Sequence, residues 1–212
     1  MKYSNGFKFT VHHWALDELE QKLRSWKKPH KIFINSMSDT FHEEAPEDFI
    51  RQLFSIMEKY PGHIFQVLTK RASRMAELAT RLTWPGNVWA GVSVESGQYL
   101  NRLDYLRSVP AKVRWISFEP LLGQIPKIDL SGIHWVVVGG ESGPNPRRMD
   151  PQWAKGIRDQ CGRAGVPFFF KQMGGEGPEK GGDLLDGIRY KKFPDVQVTA
   201  LSWSQQLAIP FD

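Results

Sequence analysis

Six short apolar runs, rich in β-branched and aromatic residues, dominate the pattern of hydrophobic and polar positions along the chain. Continuous apolar runs of this length are typical of strands buried on both faces, as in parallel sheets. The pattern therefore predicts six strands, at residues 31–36, 63–69, 87–94, 112–119, 134–140 and 167–172.

Helical periodicity fills most of the gaps between these runs. Apolar residues recur every four positions over 49–57, the spacing of one helix face, with weaker stripes at 72–82 and 100–106 and a short helix at 16–26. The last gap has the clearest helix boundaries, because Asp150 suits an N-cap, Pro151 the first turn and Gly165 the stop. Segment 121–133, which contains glycines and a proline, is predicted to cross without a full helix.

Alternating strands and helices predict an α/β fold with a mostly parallel sheet. The strand spacing fits a TIM-like barrel as well as an open doubly wound sheet. No G-x-G-x-x-G follows the first strand, which favours the barrel. We expect a partial TIM-like (β/α) barrel of about six strands over residues 31–173, an entry segment with a short helix over 1–30, and an irregular C-terminal wrap over 174–212.

Polar residues follow the predicted strands at their carboxyl ends, where parallel α/β folds hold their working residues. Residues two apart on a strand share a face, so we expect these strand ends to form one concave polar site. The candidate catalytic residues are Asp39, Glu95, Glu119, Glu141, Lys70 and Lys171. The candidate cofactor-binding residues are Gly139, Gly140, Ser142, Ser36, Ser93 and Ser117.

Several chemistries fit such a site. Carboxylates in unlike environments serve as general acid and base, and oxygen-rich clusters bind Mg²⁺ or Mn²⁺. Lys70, Arg71 and Lys171 could instead hold a phosphate or a carboxylate. Gly139 and Gly140 either let backbone N–H groups approach an anion or form a tight turn. The structural alternative is a salt-bridge network that closes the strand ends.

Composition limits the class of protein. The 212 residues carry a formal net charge of +5 and one cysteine, with a pI near 9.3. The basic charge permits a nucleic-acid partner, although the excess is small for this size. No apolar run approaches the roughly 18 residues of a membrane helix, and the N-terminus lacks a signal-peptide core. We therefore expect a cytoplasmic protein with no membrane partner. Cys161, on one helical face with Trp153 and Ile157, is expected to be a buried thiol.

Six strings resemble, in the same order, a bacteriophage- and prophage-associated protein family of unknown function. The resemblance covers about residues 26–190, and the strings that carry it read KIFINSMSDTFHEEAPEDFI, HIFQVLTKR, WAGVSVES, WISFEPLLG, WVVVGGESGP and RDQCGRAGVPFFFKQMGG. Longer members of this family resemble radical S-adenosylmethionine (SAM) proteins, with three clustered N-terminal cysteines for a [4Fe–4S] cluster before a partial TIM barrel. The resemblance implies such a barrel here. It also offers SAM as a cofactor, because Gly139-Gly140-Glu141 is similar to the "GGE" of radical enzymes.

The three cysteines have no counterpart in this chain, so an iron–sulfur cluster is not expected. The resemblance then implies a truncated radical enzyme or a natural short form. We expect a phage-associated barrel protein of unassigned activity, related to radical SAM enzymes and acting on nucleic acid. The alternative is a non-catalytic, phage-derived binding module that targets a host or phage macromolecule.

Overall fold

The computed structural model describes residues 9–34, 38–195 and 204–209, the last of these by backbone alone. The apolar runs form the six expected strands, which are β1 (His30–Ile34), β2 (Ile64–Thr69), β3 (Val88–Ser93), β4 (Arg114–Phe118), β5 (Trp135–Gly139) and β6 (Phe168–Gln172). The helices are α1 (His13–Ser25), α2 (Glu47–Lys59), α3 (Ala72–Ala79), α4 (Arg102–Ser108) and α5 (Pro151–Ala164). As predicted, no helix lies between β4 and β5.

The strands follow one another across the sheet in chain order, β6-β5-β4-β3-β2-β1. Neighbouring strands are parallel, with helices in the connections, so the fold is α/β and of the partial TIM-like kind that the sequence predicts. A doubly wound sheet reverses its strand order at a switch point. No reversal occurs across these six strands. The strand order therefore favours the TIM-like arrangement over the doubly wound sheet, which strand spacing alone could not do.

The chain divides into two compact units. The first comprises Met1–Ala90, Ser108–Lys112 and Val196–Asp212, and the second comprises Gly91–Arg107 and Val113–Asp195. In the first unit, α2 buries the apolar stripe seen in the sequence, including Leu53 and Met57. Within the described residues, no helix is long and apolar enough to cross a membrane.

The helix α5 shows how local sequence sets an element's limits. The Asp150 side chain accepts the backbone N–H of Gln152, Pro151 is the first helical residue, and Gly165 ends the helix in the left-handed conformation (φ 69°). Cys161 is fully buried on this helix, and burial raises the pKa of its thiol to about 12. The thiolate form is therefore suppressed at neutral pH, and Cys161 is a packing residue.

The segment expected to be irregular contains regular structure. Strands β7 (Leu184–Leu185) and β8 (Ile188–Arg189) form an antiparallel hairpin, and β9 (Ser204–Ile209) runs parallel to β1. The hairpin turns at Asp186 and Gly187, both with positive φ (54° and 73°). Asp-Gly is the preferred pair for such a two-residue turn, so the local sequence accounts for this hairpin.

Candidate functional site

The loop after β4 joins the carboxyl ends of three neighbouring strands in the second unit. The N–H of Leu121 donates to the carbonyl of Gly139 at the end of β5, at 2.9 Å. The N–H of Leu122 donates to the carbonyl of Glu95 beyond β3, also at 2.9 Å. Glu119 begins this loop, so its backbone lies between the two neighbouring strand ends.

A polar cluster of Glu119, Lys171, Gln172 and Ser142, which we call the strand-end cluster, forms beside this loop. Lys171 Nζ lies 2.8 and 3.0 Å from the two oxygens of Glu119. Gln172 Nε2 donates to Glu119 Oε1 at 2.7 Å and to the Gly140 carbonyl at 3.0 Å, with Ser142 Oγ 3.4 Å away. The side chains of Lys171 and Glu119 are 49% and 23% exposed. The cluster therefore presents an ion pair to solvent.

The charges of this cluster decide what it can bind. The carboxylate of Glu119 and the ammonium of Lys171 cancel, and Gln172 and Ser142 are neutral. A phosphate would have to draw Lys171 away from Glu119, whereas a substrate with both a donor and an acceptor can engage both groups. Paired groups of this kind, reachable from solvent, can accept and return a proton.

Glu95 forms a different kind of pair. Arg102 Nη1 donates to Glu95 Oε2 at 2.9 Å and to the Ser93 carbonyl at 2.6 Å, and its guanidinium lies 4.2 Å from the centre of the Tyr99 ring. Both charged side chains are largely buried. A buried charge needs a partner, so Arg102 balances Glu95 and holds it against the end of β3.

Glu141 is bound by an arginine on its own loop. The backbone N–H and Nε of Arg147 each donate to Glu141 Oε2 at 2.8 Å. These side-chain and backbone hydrogen bonds lower the pKa of the Glu141 carboxyl to about 2. Glu141 is thus ionised at neutral pH and closes the loop over 141–147.

Gly140, directly after β5, and Gly174, after β6, allow close packing of backbone on backbone. A Cβ on Gly140 would lie 1.9 Å from the carbonyl oxygen of Met173, and one on Gly174 would lie 2.5 Å from that of Glu141. The N–H of Gly140 donates to the Gln172 carbonyl at 3.0 Å. Gly140 therefore has no space beside it for a ligand, and its N–H already donates to the protein. It does not fit the SAM-binding role that the resemblance implies, and no chemical step is assigned to SAM.

The predicted serine positions differ in what the structure says of them. Ser93 and Ser117 are buried near the ends of β3 and β4, and the Ser117 carbonyl accepts the N–H of Val94 at 2.9 Å. Ser142 joins the strand-end cluster. Ser36 lies outside the described residues.

In the first unit, Asp39 ties the loop after β1 to the end of β2. Its carboxylate accepts from Thr69 Oγ1 at 2.7 Å, Arg71 Nη1 at 3.0 Å and the backbone N–H of Lys70 at 3.2 Å. Arg71 also donates to Glu43 at 2.7 Å. The oxygens of Asp39 are occupied by groups that hold the loop, and the Lys70 side chain is exposed.

The sequence analysis selected Lys171 and therefore missed Gln172, because adjacent residues of a regular strand face opposite sides. The pairing of β5 with β6 shifts register after Val138, so Gly139 lies opposite Gln172 instead of Lys171. The shift makes Lys171 an extra residue in β6, as in a bulge. Both Lys171 and Gln172 thereby contact Glu119. Arg102 and Arg147 were also missed, since no spacing rule links them to their glutamates.

Within residues 9–34, 38–195 and 204–209, no three or more histidine, cysteine or acidic residues are grouped so that they could hold a metal ion. The model of a family described as "Protein of unknown function (DUF5131)" matches residues 1–194. No curated protein and no solved structure matches the chain.

Proposed function

We propose that this chain, which belongs to the DUF5131 family of proteins of unknown function, carries out acid–base chemistry on a polar substrate at the strand-end cluster. The observation that carries the proposal is the Glu119 carboxylate, held by Lys171 and Gln172 and still partly exposed. It stands at the carboxyl end of a parallel strand, the usual place of catalytic groups in such folds.

The two oxygens of Glu119 have different partners. Oε1 accepts from both Lys171 and Gln172, whereas Oε2 accepts from Lys171 alone among the described residues. Oε2 is therefore the proton acceptor in this proposal. When the substrate loses a proton to Oε2, Lys171 is close enough to donate a hydrogen bond to the anion that develops.

Nucleic acid is the proposed substrate class. The net charge of +5 suits a polyanion, and Arg147, on the loop that carries Ser142, has a largely exposed side chain. A phage association and a relationship to radical SAM proteins belong to the same proposal. They are supported by the six strings that resemble a phage-associated family and by strands that follow chain order. Iron–sulfur chemistry is not included, because Cys161 is a single buried thiol.

The proposal is tested by incubating the protein with bacterial DNA and RNA, digesting both to nucleosides, and searching by mass spectrometry for a new mass. Water is the co-reactant in this assay, so we expect wild-type protein to form a nucleoside changed by gain or loss of water or by hydrolytic loss of ammonia. Glu119→Gln and Lys171→Met should lower its formation by about 100-fold or more. Glu18→Gln and Lys22→Met are the matched controls, since that pair is about half exposed on α1, and they should retain full activity.

A binding module is the second candidate, and the pairing of Glu95 with Arg102 and of Glu141 with Arg147 favours it, because such pairs fit a purely structural network. The nucleoside assay, together with the binding of a fluorescent oligonucleotide, separates the two. A module would produce no new nucleoside, and Glu119→Gln would bind a fluorescent oligonucleotide as tightly as wild type. That result would contradict the catalytic proposal. If no binding is seen even at low salt, nucleic acid is excluded as the partner.

A further inference from the structure

Gln172 is the most buried member of the strand-end cluster, with 6% of its surface exposed. We propose that Gln172 is a positioning residue, which fixes the Glu119 carboxylate so that Oε2 faces the substrate. This inference rests on the proposed function of Glu119. It adds the residue that gives the two carboxylate oxygens different hydrogen-bond partners.

The hydrogen bonds of the Gln172 amide fix its orientation. A side-chain amide nitrogen carries two protons, and here one is donated to Glu119 Oε1 and the other to the Gly140 carbonyl. The flipped amide would place its own oxygen against these two acceptors, so only the observed orientation is favourable. Gln172 therefore links Glu119 to the backbone at the end of β5.

The surroundings hold this link rigid. Gly140 packs against the Met173 carbonyl, and its N–H donates to the Gln172 carbonyl at 3.0 Å, so the residue that supplies the backbone acceptor is itself held by β6 and the loop after it. A Cβ at Gly139 would lie 3.2 Å from Gln172 Nε2 and 3.4 Å from Glu119 Cδ. The absence of a side chain at Gly139 thus leaves the space in which the amide and the carboxylate meet.

Lys171 cannot give this orientation by itself. Its ammonium bonds both oxygens of Glu119 at nearly equal distances and sits at the end of a flexible, half-exposed chain. An ammonium is a point charge with rotatable donors, so it neutralises the carboxylate without choosing between its oxygens. The choice comes from the planar amide of Gln172, which bonds Oε1 only.

The hydrogen bond is tested by NMR of the side-chain amide protons, which needs no activity. The Gln172 signals are assigned by their loss in Gln172→Leu. We expect them to shift in Glu119→Gln and to stay unchanged in Glu18→Gln. Signals that do not move in Glu119→Gln would overturn the proposal.

Measurement of turnover is the second test of the proposal. Gln172→Leu should lower formation of the modified nucleoside by at least about 10-fold, because small misplacements of a catalytic group are costly, with half-saturation unchanged within two-fold. Gln160→Leu is the matched control, since among the described residues the Gln160 amide bonds the backbone of Pro126 and Ile128 and no side chain. Wild-type turnover in Gln172→Leu would overturn the proposal. If wild-type protein forms no modified nucleoside, the proposed function fails, and the amide signals alone decide whether Gln172 orients Glu119.

Discussion

At the scale of single residues, the glycines that follow β5 and β6 matter because backbone atoms occupy the space that a side chain would fill. Gly140 and Gly174 allow two loops to pack with carbonyl oxygens in the place of Cβ atoms. Proteins accommodate extra atoms in such contacts only by moving the chain. The strand-end cluster depends on this packing, because the Gly140 carbonyl is one of the two acceptors of Gln172.

We predict that Gly140→Ala lowers the free energy of unfolding by about 1–3 kcal/mol, the usual cost of an overpacked core. Gly156→Ala is the control, because its Cβ meets nothing within 4 Å on α5, and alanine in a helix should raise stability by up to about 1 kcal/mol. Urea denaturation measures both. Equal stability of Gly140→Ala and wild type would contradict the packing described for this loop.

The residue scale also shows where sequence reasoning ends. Glu119 and Lys171 could be predicted, because charged residues at the ends of parallel strands are visible in the pattern. Gln172 could not be predicted, because the face of β6 on which its side chain lies depends on a register shift against β5. The shift is a property of the pairing between two strands, and neither strand's sequence shows it alone.

At the scale of elements, a histidine precedes a strand in each unit and binds the neighbouring strand. His63 Nδ1 accepts the N–H of His30, the first residue of β1, at 3.0 Å. His134 Nδ1 accepts the N–H of Arg114, the first residue of β4, at 3.1 Å. Burial is the main cause that lowers the pKa of both imidazoles, and His30 and Arg114 add to the effect. Each histidine is therefore a neutral acceptor that fixes a strand start.

This arrangement predicts acid sensitivity. In the unfolded chain these histidines take up a proton near their ordinary pKa of 6.5, whereas in the folded protein they resist it. The stability that comes from keeping these histidines neutral is complete at pH values well above 6.5. It is lost as the pH falls from 6.5 toward the lowered pKa values. We expect the free energy of unfolding to decrease between pH 7.5 and pH 5.5, which denaturation at several pH values measures.

The variants His63→Asn and His134→Asn should reduce this pH dependence, because an Asn oxygen accepts the same N–H and does not titrate. His13→Asn is the control, since its side chain is exposed on α1. An unchanged pH dependence in the double variant would show that other groups cause the acid sensitivity.

Elements differ in how far the sequence predicts them. The six strands and α5 follow from apolar runs and capping residues, which are local signals. The hairpin of β7 and β8 was also local, since Asp186 and Gly187 form its turn, but its strands are only two residues long and have no apolar run to mark them. The pairing of β9 with β1 joins residues far apart in the chain, so no local pattern predicts it.

At the scale of the whole molecule, the single cysteine reports on global opening. Cys161 lies on the buried face of α5, and its raised pKa suppresses the reactive thiolate. We predict that a thiol reagent does not react with native protein over hours and reacts completely in denaturant. Because the chain has one cysteine, the labelled mass is unambiguous. Rapid labelling of native protein would show that α5 opens independently of the rest.

The register shift between β5 and β6 interrupts even pairing of the two strands, but it also brings Gln172 into contact with Glu119. A strand without the extra residue at Lys171 would pair evenly with β5, and its next side chain would then turn away from Glu119. Deleting one residue there would favour a regular ladder and remove the contacts that distinguish the two carboxylate oxygens. The irregular pairing therefore sets the orientation proposed for the Glu119 carboxylate, and an even ladder would remove it.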